Sequence, residues 1–193
     1  LTAAGIHLHG ILLCAMIQNY DTRHGQKKQE VVRMAEEKTN VMRILDQKKI
    51  PYMPHYYAAP DGAVDGASVA ALTGADPDGV FKTLVTRGAS GSYYVFVVPV
   101  LRTLDLKAAA RAAGEKSIEM IRQADLLPLT GYIHGGCSPV GMRKRFKTFL
   151  DERAQRCKTM LVSAGKIGAQ IELSPADLCA LVRGRFAPVS KEP

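Results

Sequence analysis

The chain has 193 residues, 47% of them hydrophobic and 23% charged, enough for one domain with a sizeable core and incompatible with wholesale disorder. Its 26 Lys+Arg outweigh 18 Asp+Glu, and a net charge of +8 favours polyanionic ligands such as nucleic acid. No apolar run reaches the roughly 18 residues that a membrane-spanning helix needs. The cysteines, Cys14, Cys137, Cys157 and Cys179, form no CxxC pair and no zinc-binding spacing with histidine, a scatter that suits a reducing cytoplasm.

Residues 1–33 show no periodicity, and His7 and His9 read as incidental. At Met34 the character changes to that of a natural start, so residues 1–36 read as an extension, disordered or an artefact of start-site choice, and 37–193 as the working domain. Val41, Met42, Ile44 and Leu45 give an amphipathic helix capped by Thr39 or Asn40. A strand follows over 51–57, then a loop over 61–65, and a short helix over 66–72 with Asp65 as cap and Gly74 as terminator. Asp76-Pro77 opens a helical turn. Strands over 80–86 and 93–100 are joined by a glycine-containing hairpin turn. Asp105 caps an Ala-rich helix ending at Gly114. A strand near 117–120 and a helical turn near 123–127 lead into a Gly-rich loop over 131–141. Two strands follow, over 159–163 and 169–173, joined by Ala164-Gly165-Lys166-Ile167-Gly168. Ser174 caps a last helix with Pro175 at its first position. Helices and strands do not alternate evenly, so the pattern predicts a mixed α/β or α+β domain with several antiparallel pairs, not a doubly wound sheet.

Familiar catalytic motifs fail. Around Ser138 the glycines Gly136 and Gly141 are one residue too far apart for a GxSxG elbow, and Pro139 has no N–H to lend to an oxyanion. Gly165-Lys166-Ile167 lacks both the spacing and the hydroxyl of a P-loop. What remains is two glycine-rich loops, a basic surplus, and Lys82 inside an apolar strand. Lysine in a strand is more often a solvated edge residue, and paired glycines are more often a tight turn.

Taken together, the segments are more specific. Leu129-Thr130-Gly131-Tyr132-Ile133-His134-Gly135-Gly136-Cys137-Ser138-Pro139-Val140-Gly141 closely resembles the signature loop of the YbaK family, freestanding relatives of the editing domain inserted in bacterial prolyl-tRNA synthetases. The likeness extends through Lys48-Lys49-Ile50, His55, Tyr57, Val80-Phe81-Lys82-Thr83-Leu84, Leu104-Asp105-Leu106-Lys107, Ser163-Ala164-Gly165-Lys166 and Ile171-Glu172-Leu173. It covers nearly all of 37–193. The resemblance implies a single compact α/β domain on a mixed, partly closed sheet or barrel with helices around it. It implies a cytoplasmic deacylase that clears Cys-tRNA(Pro), or Cys-tRNA(Cys), with aminoacyl-tRNA as substrate, prolyl-tRNA synthetase as a companion, and no cofactor or metal.

The chemistry fits that reading. A pocket discriminates poorly between similar small side chains, so a second site is needed to remove the wrong one. For cysteinyl esters the family is thought to let the substrate's own thiol attack, giving a cyclic thiolactone. By the resemblance, Lys82, Gly135 and Ser163 carry the catalysis. Tyr57, Thr83, Gly136, Ser138, Gly165, Lys166 and Gln170 bind substrate. Cys137 fills a variable slot and is not a nucleophile. Gln170 stands where some cysteine-specific members have Asp, and Val64 or a neighbour where some have Phe. The alternatives are a hydrolase for Ala-tRNA(Pro) or another mischarged tRNA, and a non-catalytic module that binds tRNA or synthetase.

Overall fold

The computed structural model describes residues 37–59, 62 and 66–193. The readings made for residues 1–36, Asp65 and Val64 lie outside these. Helix α1 (Asn40–Lys48) begins where Thr39 accepts from the Met42 N–H, and it ends on Lys49 in the left-handed region. Strand β1 (Tyr52–Tyr56), helix α2 (Gly66–Thr73) and a 3₁₀ turn (Pro77–Gly79) capped by Asp76 follow. Next come β2 (Phe81–Gly88), β3 (Tyr93–Pro99), β4 (Thr103–Leu104), α3 (Leu106–Ala113), β5 (Ile118–Met120) and α4 (Gln123–Thr130). The remainder is β6 (Lys147–Asp151), a 3₁₀ turn (Glu152–Arg156), β7 (Met160–Ser163), β8 (Ala169–Leu173), α5 (Pro175–Val182), β9 (Arg185–Ala187) and β10 (Ser190–Lys191).

The largest sheet has the order β5-β2-β3-β6-β9. β2 pairs antiparallel with β3 and β5, whereas β6 runs parallel to both β3 and β9. A second sheet, β1-β8-β7, is wholly antiparallel, and β10 pairs with β4. A mixed α/β architecture is therefore present, but the sheets do not close into a barrel. Among the described residues one isolated parallel bridge, Val80 to Leu161, links the second sheet to the entrance of β2. That bridge is the extent of the closure that the resemblance implied.

Strand β3 is apolar on both faces because both are covered. Phe96 stacks on Phe149 at 5.3 Å between ring centroids, and with Tyr94 and Val98 it packs against Ala109 and Ala110 of α3. Val97, on the opposite face, joins Val41, Met42 and Leu45 of α1, Leu150, Val162, Ile171 and Leu178 in the main core. Each such side chain contributes about 1.5–3 kcal/mol on burial. The outer face of β1-β8-β7 carries the polar residues His55, Gln170, Glu172 and Ser163, and this face meets the start of β2. No helix among the described residues is long and apolar enough to cross a membrane.

Candidate active site

The start of β2, the end of β3, the Gly-rich loop after α4 and the outer face of β7-β8 enclose a cavity of about 360 Å³. Of the residues singled out from sequence, Lys82, Thr83, Gly135, Ser163 and Gln170 all line it. They come from four chain segments as far apart as residues 82 and 170, and the antiparallel pairing of β7 with β8 sets Ser163 directly opposite Gln170.

Lys82 is half-buried, and desolvation pulls its ammonium below the ordinary lysine range. Nζ donates to the Val100 carbonyl at 3.1 Å, its one hydrogen bond among the described residues, so two of its three N–H donors are open to a ligand. Two polar atoms on residues that line the cavity have no partner. The Thr83 hydroxyl and the Gln170 Oε1 are both buried without a hydrogen bond. Buried polar atoms are normally satisfied, and each orphan costs about 1–3 kcal/mol. Gln170 is only 7% exposed, so its unused acceptor is shielded from bulk water. Ser163 accepts from the Gly165 N–H at 3.2 Å, which leaves its own O–H proton to donate.

The glycine loop comes close to the cavity for a backbone reason. Gly135 has φ +81°, a conformation open to glycine at little cost. At Gly136 a Cβ would lie 3.3 Å from Lys166 Cα and Ile167 N, so the two glycine-rich loops touch backbone to backbone. Tyr132 locks the first loop by donating to the Val140 carbonyl at 2.6 Å.

The other residues assigned to substrate binding do not line the cavity. Tyr57 is buried, and its N–H donates to the Gly168 carbonyl. Ser138 is fully buried and accepts from the Val140 N–H. Gly136, Gly165 and Lys166 shape the contact between the two loops. Conversely, His134, exposed at the rim, and Cys137 line the cavity, although sequence reasoning gave neither a role. Their place in the signature loop is the signal that could have found them. Burial pushes the Cys137 thiol up to about 12, which keeps it protonated.

A larger cleft, about 790 Å³, lies beyond Leu161 and holds His55, Glu172, Arg156 and Lys158. Within it Glu172 is already engaged by His55 at 2.8 Å and by Thr159. Size alone favours this cleft, but the convergent open donors and acceptors are in the smaller cavity, which is the better candidate site. Among the described residues no cluster of three or more His, Cys, Asp or Glu is placed to hold a metal ion.

A mixed α/β domain with a lysine, a glycine loop and residues bearing unsatisfied polar groups around one cavity makes that cavity a candidate small-ligand site. The chain belongs to the aminoacyl-tRNA editing domain family, whose profile matches residues 62–181. It is 44% identical over 155 residues to EbsC of Enterococcus faecalis, a protein named as a Cys-tRNA(Pro)/Cys-tRNA(Cys) deacylase, covering 80% of this chain and 94% of that one. Two solved structures share the fold. One is described as a trans-editing enzyme for prolyl tRNA synthetase, with TM-score 0.67 and 23% identity over 79% of this chain and 98% of that one. The other is a hypothetical protein, with TM-score 0.72 and 24% identity over 79% of this chain and all of that one.

Proposed function

We propose that this protein is a trans-acting aminoacyl-tRNA deacylase that removes cysteine from tRNA(Pro), acting in the cytoplasm beside prolyl-tRNA synthetase. The observation that carries the reading is the convergence of the Lys82 ammonium, the Gly135 backbone and two orphaned polar atoms, Thr83 Oγ1 and Gln170 Oε1, on one cavity. An aminoacyl ester supplies what each lacks: an oxygen for the ammonium, and hydrogen-bonding partners for the hydroxyl and the amide oxygen.

In this mechanism the substrate thiol attacks its own ester carbonyl. The C–S bond forms as the bond from carbonyl carbon to ribose oxygen breaks, and the thiol proton passes to the departing ribose hydroxyl, leaving a cyclic thiolactone. The attack is intramolecular, so the protein supplies orientation. Lys82 and the Ser163 hydroxyl stabilise charge that develops on oxygen, a role in which one donor is worth about 3–4 kcal/mol. Gln170 and Thr83 hold the amino-acid end. Tyr57, Gly136, Ser138, Gly165 and Lys166 keep the two loops in register behind the cavity.

The second reading is hydrolysis of an alanyl or other mischarged ester, and His134 at the rim favours it, since an imidazole there can activate water. A deacylation panel decides. Faster loss of cysteine than alanine from tRNA(Pro), with thiolactone trapped, supports the first reading. Equal or faster loss of alanine supports the second. Binding of tRNA with no faster ester cleavage would reduce the protein to a binding module.

A further inference from the structure

We propose that the basic segment 143–147, directly after the glycine loop, is the docking surface for the phosphate backbone of the tRNA acceptor end. The inference rests on the deacylase reading for its ligand, and on the charge and packing of this segment for its location.

Arg143, Lys144, Arg145 and Lys147 place four cations within five residues, and no acidic residue stands between Asp125 and Asp151. A run of this kind is more often only a solvated face. Three observations separate it from that reading. First, Arg143, Lys144 and Arg145 have no ion-pair partner among the described residues, although Lys38, Arg102 and Arg122 each have one. Lys147 is the exception: the carboxyl of Glu115 is held low by hydrogen bonds from Ser90 and Tyr94, and the nearby Lys147 charge adds to them.

Second, the segment is anchored behind the wall of the cavity. Met142 and Phe146 pack in one apolar cluster with Cys137 and Leu126, and both of those line the site. The Arg143 N–H donates to the Thr130 carbonyl at 3.0 Å, and the Arg143 side chain lies across Gly131, the first residue of the glycine loop. Third, aromatic surface is interleaved with the charge. Phe146 meets Tyr93 edge-on at 6.3 Å, and Tyr93 pairs in register with Arg87. Cations around half-buried aromatic rings suit a single-stranded nucleic-acid end, which offers both phosphates and stackable bases. An aminoacyl group seated in the cavity leaves its polynucleotide outside, where this segment frames the loop.

The test uses the full chain with Lys144→Glu/Arg145→Glu, two exposed positions outside the cavity, and the milder Lys144→Ala/Arg145→Ala as a second variant. Three readouts are compared with wild type: Kd for uncharged tRNA across a salt series, KM and kcat for Cys-tRNA(Pro), and turnover of a cysteinyl ester of adenosine, which lacks the phosphate chain. The expected result is a rise of about tenfold in Kd and KM for tRNA and a salt slope shallower by about 1.5–2, with kcat and ester turnover unchanged. Unchanged tRNA affinity and salt slope would overturn the proposal. Equal loss on the adenosine ester and on tRNA would also overturn it, because the segment would then be acting through the cavity. Loss of prolyl-tRNA synthetase capture at constant tRNA affinity would assign the surface to a protein instead. If wild type cleaves neither ester, the deacylase reading fails, and the uncharged-tRNA arm still decides the docking surface.

Discussion

The ammonium of Lys82 donates to the main-chain carbonyl of Val100 at 3.1 Å, joining the entrance of one central strand to the exit of its neighbour. This one bond holds the charge at the cavity wall and leaves most of its donor capacity unused. Burial depresses its pKa from the ordinary 10.5. A group with a depressed cationic pKa costs the folded state while it is charged, and the cost fades as pH rises from the depressed value toward 10.5. At neutral pH, therefore, Lys82→Ala is expected to keep a cooperative melt at an equal or higher Tm while deacylation falls about 100-fold or more. Lys82→Arg is expected to rescue poorly, because a planar fork does not replace a compact ammonium. Wild-type turnover by Lys82→Ala would remove Lys82 from the chemistry.

Where the two glycine-rich loops meet, the space is already full. A Cβ at Gly136 would press on backbone atoms of Lys166 and Ile167 at 3.3 Å, and main chain cannot swing away as a side chain can. Gly136→Ala is expected to cost about 1–3 kcal/mol of stability through this overpacking. At Gly135 the strain is conformational instead: φ +81° disfavours any Cβ by about 1–2 kcal/mol. Gly135→Ala is expected to keep the fold but cut deacylation at least about tenfold as the loop backbone relaxes away from the cavity. Thermal melts and single-turnover rates on the pair check this, and unaltered rates would leave the loop as an ordinary tight turn.

Local chemistry made the helix boundaries legible. Thr39, Asp105 and Ser174 each accept an N–H from the turn they precede, so α1, α3 and α5 start where capping rules put them. α4 runs on to Thr130, past the predicted turn, because Pro128 removes one helical hydrogen bond without ending the helix before Gly131. β6 was not legible at all. Its apolar signal is only Phe149 and Leu150, set between a basic run and Asp151, and it owes its place to parallel pairing with a strand about 50 residues earlier. β4, β9 and β10 are shorter still and equally nonlocal. The site followed the same division. Lys82, Gly135 and Ser163, singled out through the likeness of local segments to family motifs, line one cavity, whereas the orphaned state of Gln170 Oε1 exists only once β7 and β8 pair.

Gln170 is the position where stability and binding are expected to move in opposite directions. Its unsatisfied Oε1 costs the ligand-free protein, and a donor on the substrate is expected to relieve that cost. Gln170→Met keeps the side-chain length and removes the orphan, so Tm is expected to rise or hold while kcat/KM on Cys-tRNA(Pro) falls about tenfold or more. Gln170→Asp instead places a carboxylate in the cavity with Lys82, and is expected to change the cysteine-to-alanine preference more than the overall rate. A Gln170→Met variant with both lower Tm and full activity would make Gln170 a packing residue.

Cys137 lines the cavity, yet burial raises its thiol from 9.0 to about 12, so at neutral pH almost none is thiolate. A group in this state is a poor nucleophile, and Cys137→Ala is expected to retain most deacylase activity. The same burial predicts an alkaline liability. The fold favours the neutral thiol of Cys137 and the neutral phenol of Tyr132, which is raised from 10.0 to about 12 by desolvation. Both contributions are fully present below the unfolded-state values and are lost as pH climbs from there toward about 12. Tm is therefore expected to be flat to about pH 8.5 and to fall steadily above it. Cys137→Ala should remove the earlier part of that fall, and Tyr132→Phe the later part, along with the hydrogen bond to Val140. Melts from pH 7 to pH 11 on the wild type and both variants test the assignment. Rapid labelling of Cys137 by a thiol reagent at neutral pH, together with loss of activity in Cys137→Ala, would make this thiol part of the reaction after all.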